Sequence, residues 1–177
     1  MRVLLVAQDA GGTVPPMIAI TEALVAGGHD VTVLGQPTIE RRAAAAGADF
    51  VPFSDVGDYA RDVPLEEQVE LVLRAITGRG PGDDALAAID DRGIDVAVVD
   101  CNLGGALAAV ESASIPSAVL LHSMYRTYVD TWFGDIWPFL APGINGSRAA
   151  YGLDACTSWT DVFERHDRMY AAVPAAF

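Results

Sequence analysis

Asp9 and Thr13 flank a glycine pair, in a short loop between an apolar run and an amphipathic segment. A carboxylate can accept a proton from a hydroxyl group, whereas a threonine hydroxyl can only donate or accept hydrogen bonds near neutral pH. The glycines, Gly12 among them, let the backbone approach a bound molecule closely. The pattern therefore predicts a ligand-lined loop that carries Asp9 and Thr13, with an ordinary tight turn as the alternative.

The loop matches neither of two common phosphate-binding patterns. The dinucleotide fingerprint G-x-G-x-x-G is absent, because Gly11 and Gly12 are adjacent and no third glycine follows. The Walker A pattern is absent too, since the chain contains no lysine. A nucleotide phosphate is therefore not expected at this loop, and an oxidoreductase of the Rossmann type is disfavoured.

Two further candidate residues follow predicted strands later in the chain. Asp100 ends the apolar run Ile94–Val99, and His122 follows the run Ile115–Leu121. Parallel strands present their carboxyl ends at one edge of a sheet, where open α/β sheets bind their ligands. Both side chains are therefore expected near the Asp9 loop. On this edge His122 could contact the ligand or supply a base, whereas a hydrogen-bonded structural histidine is the more common outcome for a residue in such a position.

The chain changes character after His122, where aromatic residues alternate with glycine and proline. This pattern predicts a loop-rich pocket for a hydrophobic molecule, more mobile than the sheet. The alternative is that the aromatic side chains close the edge of the core. The residues expected to line the pocket are Met124, Tyr128, Trp132, Phe133 and Trp137.

Hydrophobic periodicity predicts alternating strands and helices along the chain. After a strand over residues 1–7 and a helix that contains Ile18 and Leu24, we expect strands over Asp30–Leu34, Asp49–Phe53, Ile94–Val99, Ile115–Leu121 and Tyr170–Pro174. The later helices are expected over Thr38–Ala46, Leu65–Thr77, Asp83–Arg92, Leu103–Ser112, Asn145–Leu153 and Asp161–Met169. This order predicts one Rossmann-like domain over residues 1–177, with three α/β/α layers around a mainly parallel sheet.

Composition narrows the range of partners. The net charge of −13, from 24 acidic residues against 11 basic ones, disfavours nucleic acid and anionic membrane surfaces. Cys101, Cys156 and the three histidines lack metal-site spacing, so no metal is expected and Cys101 is interpreted as a small buried hydrophobe. Because there is no secretion signal and no run of 18 apolar residues, a cytoplasmic location is expected.

Four segments occur in the order and spacing of a known family. They are Gly12–Leu24 with Gly28–Val31, Ala46–Phe53, Asp95–Asp100 with Ile115–Val119, and Leu120–Ser123 followed by an aromatic stretch and Asn145–Arg148. Together they resemble the amino-terminal half of the family 1 glycosyltransferases of the GT-B fold, found in actinobacterial natural-product pathways. The likeness covers almost the whole chain.

The resemblance implies an inverting, metal-independent transfer of a sugar from a nucleotide sugar to a hydrophobic acceptor, as in antibiotic biosynthesis. In the family, a histidine on the first loop deprotonates the acceptor hydroxyl and is oriented by an aspartate. Thr13 and Asp100 hold these two positions here. Because threonine cannot act as a base near neutral pH, Asp9 is the nearest alternative.

The resemblance extends only to the acceptor half of the family. The family's carboxyl-terminal domain binds the nucleotide sugar, and its motif does not occur in these 177 residues. We therefore expect an acceptor-binding domain that needs no cofactor, is inactive alone and works with a donor domain as its partner. The alternative is a stand-alone binding module for an apolar small molecule.

Overall fold

The computed structural model describes residues 1–10, 12–56, 64–122, 129–130 and 133–172. Its strands are β1 (Arg2–Ala7), β2 (Asp30–Gly35), β3 (Asp49–Pro52), β4 (Val96–Asp100), β5 (Ser117–Leu121) and β6 (Arg168–Ala171). Its α-helices are α1 (Val14–Ala26), α2 (Glu40–Ala45), α3 (Leu65–Thr77), α4 (Gly80–Arg92), α5 (Gly104–Ala113), α6 (Phe133–Ala150) and α7 (Trp159–Phe163). A short 3-10 helix, Pro37–Ile39, precedes α2. No helix in these ranges is long and apolar enough to cross a membrane.

The six strands form one parallel sheet in the order β3-β2-β1-β4-β5-β6. The chain moves outward from β1 to β3, and then returns to the other side of β1 to form β4. Val6 of β1 is opposite Val99 of β4. Open parallel sheets bind ligands at the point where the strand order reverses. That point lies between β1 and β4, and the parallel Rossmann-like sheet that the sequence predicts is confirmed.

Alternating side chains along the strands fill two separate cores, one on each face of the sheet. On one face, Val3 and Leu5 of β1 pack with α1 and α2 through Val14, Met17 and Ala43. On the other face, Leu4 and Val6 pack with residues of helices α3 to α7. The predicted three-layer α/β/α arrangement is therefore confirmed, with two helices on one face and five on the other among the described residues.

Helix α5 is buried at every position from Gly104 to Val110. A Cβ atom at Gly105 would lie 1.9 Å from the carbonyl oxygen of Gly78, and one at Gly104 would lie 2.8 Å from the Ile144 side chain. No larger residue fits at these two positions without displacing a neighbour. The small residues of α5 thus bring it close to the α3–α4 connection and to α6.

Helix α6 differs most from the prediction. It is one helix that passes through Pro138 and Pro142, where the sequence predicted a loop-rich region followed by a separate helix over Asn145–Leu153. Both prolines are exposed, so the carbonyl groups that they leave unpaired can bond to water. Burial of the opposite side outweighs the low helix propensity of proline. The buried residues of that side are Leu140, Ile144, Ser147 and Arg148.

The remaining differences concern where elements begin and end. Helix α4 begins at Gly80 rather than Asp83, because Pro81 lies in the first turn, where no amide donor is needed. The helix expected over Asp161–Met169 is instead the short α7, whose first turn is capped by the Ser158 hydroxyl, followed by β6. Strand β6 begins before Tyr170, since Arg168 already pairs with Ala118 of β5.

Candidate functional site

Three of the predicted site residues follow strands at the carboxyl edge of the sheet. Asp9 lies two residues after β1, Asp100 is the last residue of β4, and His122 is the first residue after β5. Because β4 lies between β1 and β5, Asp100 is in the middle of this row. The row includes the reversal point of the strand order, which is the usual place of a ligand crevice.

The loop after β1 is fixed by hydrogen bonds from the Thr13 side chain and from the residue that follows β2. The Thr13 hydroxyl donates to the carbonyl oxygen of Gln8 and accepts from the backbone N–H of Ala10 at 3.1 Å. The backbone N–H of Asp9 donates to Oε1 of Gln36 at 2.7 Å, and Gln36 is fully buried. The Thr13 hydroxyl, itself buried, therefore serves to hold the loop in shape.

Gly12 and Asp9 differ in their surroundings. A Cβ atom at Gly12 would meet no other atom within 4 Å, so packing within the described residues does not require this glycine. Asp9 is half-buried. Gly11 lies outside the described residues. The roles of Asp9 in catalysis and of Gly12 in acceptor binding stay predictions.

Asp100 and His122 contact each other. Oδ2 of Asp100 lies 2.9 Å from Nε2 of His122, and the two side chains are 1% and 10% exposed. The other carboxylate oxygen, Oδ1, accepts the backbone N–H of Asn102 at 2.9 Å. The ring N–H of His122 is not aligned with Oδ2. Oδ2 and both ring nitrogens are buried without a hydrogen-bond partner among the described residues.

Cys101 adds a thiol beside this pair. Its Sγ, a carboxylate oxygen of Asp100 and a ring nitrogen of His122 lie within 4.8 Å of one another, the only such group in the part of the chain that the structure describes. Two ligands of a tetrahedral zinc ion, each about 2.0–2.1 Å from the metal, would lie about 3.3 Å apart. The 2.9 Å between Oδ2 of Asp100 and Nε2 of His122 is shorter than this and is the distance between two atoms in direct contact. Cys101 belongs to the core, as predicted for a small buried hydrophobe.

Trp137 is the one predicted pocket residue whose side chain the structure describes. It is half-buried on α6 and packs edge-to-face against Trp159, with 5.8 Å between ring centroids and 68° between ring planes. Met124, Tyr128 and Trp132 lie outside the described residues, and so does the side chain of Phe133. The pocket for a hydrophobic molecule therefore stays a prediction, although Trp137 also closes the edge of a core.

Sequence reasoning missed two features of this edge. Gln36 anchors the loop after β1, although its place directly after β2 was a usable signal. The contact between Asp100 and His122 was also missed, although both residues follow strands that are neighbours in the sheet. Each feature joins residues from different strands, so it depends on strand order as well as on local sequence.

No family model matches the chain, and no curated protein matches it in sequence. Solved structures of glycosyltransferases match nearly all of it. The calicheamicin glycosyltransferase CalG4 has a TM-score of 0.72 at 18% identity, covering 99% of this chain and 49% of that one. A glycosyltransferase from Streptomyces sp. SF2575 has a TM-score of 0.66 at 20% identity, covering 99% of this chain and 51% of that one. The spinosyn rhamnosyltransferase complexed with thymidine diphosphate has a TM-score of 0.66 at 17% identity, covering 99% of this chain and 46% of that one.

The chain thus spans about half the length of the glycosyltransferase structures that it matches. At these levels of identity the likeness concerns the fold. Its six-stranded parallel sheet, with helices on both faces, agrees with the sequence-based expectation. The chain has the Rossmann-like fold of the amino-terminal half of a GT-B glycosyltransferase.

Proposed function

We propose that this chain is the acceptor-binding half of an inverting glycosyltransferase that moves a sugar from a nucleotide sugar to a hydrophobic natural-product acceptor. The observation that carries the proposal is the likeness of the whole chain to half of several glycosyltransferases. The buried carboxylate and imidazole near the reversal point of the sheet support it, because open α/β sheets bind their ligands there.

The partner in this proposal is a carboxyl-terminal donor domain. Three of the matched glycosyltransferase structures are complexes with thymidine diphosphate. We propose that the donor domain binds the nucleotide sugar and supplies the groups that stabilise the diphosphate leaving group. The absence of both phosphate-binding patterns from the loop after β1 is consistent with this division of roles.

The acceptor is proposed to lie at the carboxyl ends of β1 and β4. Asp9, Asp100 and His122 are the proposed candidates for the group that takes the acceptor's proton, and Gly12, Thr13 and His122 are proposed to lie beside the reacting hydroxyl group. The aromatic segment after β5 supplies the apolar wall, with Met124, Tyr128, Trp132, Phe133 and Trp137. No metal ion has a role in the proposed reaction, because a side-chain base removes the proton and the donor domain stabilises the leaving group.

The test compares the chain alone with the chain joined to a donor domain. The joined protein is made in two ways: with the coding sequence downstream of Phe177, and as a fusion to the donor half of the glycosyltransferase from Streptomyces sp. SF2575. Each protein is incubated with thymidine diphosphate glucose and a panel of hydroxylated aromatic polyketides, and products are identified by mass spectrometry and NMR.

We expect a glycosylated product of inverted anomeric configuration from a joined protein, and none from the chain alone. Turnover by the chain alone would place a donor site within these 177 residues and contradict the proposal. Tight binding of a polyketide without transfer by either joined protein would instead favour a stand-alone binding module.

A further inference from the structure

We propose that His122, positioned by Asp100, is the base that takes the proton from the acceptor hydroxyl. This inference rests on the proposed function, and it assigns the base to a residue other than Asp9. The imidazole comes from the end of β5 rather than from the loop after β1. Asp100 is then a positioning residue, because it acts through His122.

The first support is the contact between the two side chains. Nε2 of His122 lies 2.9 Å from Oδ2 of Asp100, and the side chain of Asp100 is 1% exposed. The bond from the backbone N–H of Asn102 to Oδ1 holds the carboxylate at the end of β4. A fixed carboxylate against one ring nitrogen orients the imidazole and stabilises the imidazolium that forms when the other nitrogen takes up a proton.

The second support is the ring nitrogen that faces away from the carboxylate. Nδ1 of His122 is buried and has no hydrogen-bond partner among the described residues. Buried polar atoms of folded proteins nearly always have a partner, and the hydroxyl group of a bound acceptor is one. Catalytic hydrogen bonds often tighten only when the substrate binds, and in the reacting complex we expect Nε2 to donate to Oδ2.

The other two candidates on this edge are less suited to the role. The hydroxyl of Thr13 already bonds to the carbonyl oxygen of Gln8 and to the N–H of Ala10, and a hydroxyl is too weak a base. Asp9 is held through its backbone N–H by Gln36, and its side chain is a carboxylate. Imidazole is the side chain whose basicity best suits proton transfer near neutral pH.

The proposed step moves one proton and exchanges one carbon–oxygen bond for another. The O–H bond of the acceptor breaks, and its proton goes to Nδ1 of His122, while Nε2 keeps its hydrogen beside Oδ2 of Asp100. The acceptor oxygen forms a bond to the anomeric carbon of the sugar. The bond from that carbon to the diphosphate breaks at the same time, and its electron pair leaves with the nucleoside diphosphate.

The test measures kcat and KM of the joined protein with thymidine diphosphate glucose and the polyketide that the wild type glycosylates. The variants are His122→Gln, Asp100→Asn and Asp9→Asn. His29→Gln is the matched control, because His29 is a partly exposed histidine in the turn before β2. We expect kcat to fall about a hundredfold or more for His122→Gln, the usual range for loss of a general base, with a smaller change in KM.

Asp100→Asn should lower kcat about tenfold or more, whereas Asp9→Asn should lower it by less than about tenfold and His29→Gln by less than about twofold. Added imidazole should raise the activity of His122→Gly at least about tenfold, because it can replace the missing base. If His122→Gln keeps its kcat while the wild type transfers sugar, only the present inference is overturned. A wild type that transfers no sugar in any joined form overturns the proposed function and this inference together.

Two further readouts decide the chemical role of the pair. Nitrogen-15 NMR of the histidine-labelled chain, which requires no activity, should find the neutral ring of His122 protonated at Nε2 and bare at Nδ1. The reverse tautomer would overturn the inference, because Nδ1 could not then take a proton. Activity should be unchanged by EDTA; its loss would assign Asp100, Cys101 and His122 to a metal ion and exclude a free base.

Discussion

Strand β5 has a buried histidine near each of its ends, and the two histidines have different partners. His122 follows the carboxyl end of β5 and lies 2.9 Å from the carboxylate of Asp100. His166 lies near the amino end, where its Nδ1 is 2.8 Å from the hydroxyl oxygen of Ser117. The side chain of His122 is 10% exposed and the whole His166 residue is 9% exposed, so both histidines are largely withdrawn from solvent.

The chemistry of the partner distinguishes the two sites. Burial lowers the pKa of His166 to about 4, and Glu111, Arg148 and Asp167 have smaller effects on it. His166 is therefore neutral near pH 7, bonded to an uncharged hydroxyl group. His122 instead contacts a carboxylate, the kind of partner that stabilises an imidazolium during proton transfer. The comparison indicates a structural histidine at one end of β5 and a chemically usable one at the other.

The surroundings of the two histidines support this distinction. Beside the amino end of β5 is a cavity of about 300 Å³, lined by Glu111, Ser114, Ile115, Pro116, Ser117, Arg165 and Asp167. Asp167 accepts the backbone N–H of Ser117 at 2.9 Å, and the bonds to Asp167 and His166 join β5 to the segment before β6. This region lies at the edge of the sheet opposite to the reversal-point crevice. Its polar groups are used to hold elements together.

The largest expected effect tests whether the amino-edge region is structural. Arg148 is 1% exposed and binds Glu111 through two contacts of 2.7 and 3.1 Å, while its Nε donates to the carbonyl oxygen of Asp154. Arg148→Met leaves Glu111 partly buried without its charge partner. We expect the free energy of unfolding, measured by urea denaturation, to fall by about 3–5 kcal/mol.

Arg74→Met is the matched control, because the pair of Arg74 with Glu70 is exposed to solvent and lies within one helix. Its loss should change the free energy of unfolding by about 0.5 kcal/mol or less. Equal losses in the two variants would contradict the assignment of Arg148 to the buried framework of this edge.

The next effect concerns the loss of stability in acid that His166 causes. Its pKa is about 4 in the folded chain, against about 6.5 in an unfolded chain. Between these two values the unfolded state binds more protons, so the folded state loses stability as the pH falls from 6.5 to 4. The loss amounts to at most about 3–4 kcal/mol, since each pH unit contributes up to about 1.4 kcal/mol.

The measurement for His166 is the free energy of unfolding of the wild type and of His166→Gln at pH 8, 7, 6, 5 and 4. The variant should be less stable than the wild type at pH 8, because it loses the hydrogen bond between the His166 ring and the Ser117 hydroxyl group. The difference should shrink below pH 6.5, where the wild type alone loses the contribution of this histidine. Parallel curves over the whole range would mean that His166 is not held neutral by the fold.

The same contrast explains how much of the fold could be predicted from sequence. Strands β1 and β2 were predicted nearly to their observed ends, with a helix between them, because periodic apolar residues are local signals. Helix α6 was not, since its local signals, Pro138 and Pro142, oppose a helix. Its buried side, with Leu140 and Ile144 against other helices, decides the outcome, and that information lies elsewhere in the chain.

The candidate site divides in the same way. The carboxyl ends of β1, β4 and β5 could be placed on one edge from the alternation of strands and helices alone. The contact of Asp100 with His122 and the bond from Asp9 to Gln36 could not, because each depends on side-chain positions across two strands. To predict such a contact one must know which residues of neighbouring strands lie side by side, and the local sequence of one strand does not contain that information.

The smallest expected effect concerns Thr13. It tests whether this residue supports the loop at the carboxyl edge or takes part in the reaction. Its hydroxyl bonds to the carbonyl of Gln8 and to the N–H of Ala10, so Thr13→Val removes the partner of one buried and one part-buried backbone bond. We expect a loss of about 1–2 kcal/mol in the free energy of unfolding. In the joined protein, a displaced loop should raise the KM for the acceptor several-fold while kcat falls by less than about tenfold, because the hydroxyl is not the base. Thr13→Ser keeps the hydroxyl and should restore most of both losses. A fall in kcat of a hundredfold with unchanged KM would instead give Thr13 a direct part in proton transfer, and would weaken the contrast between a loop that positions the acceptor and a histidine that reacts with it.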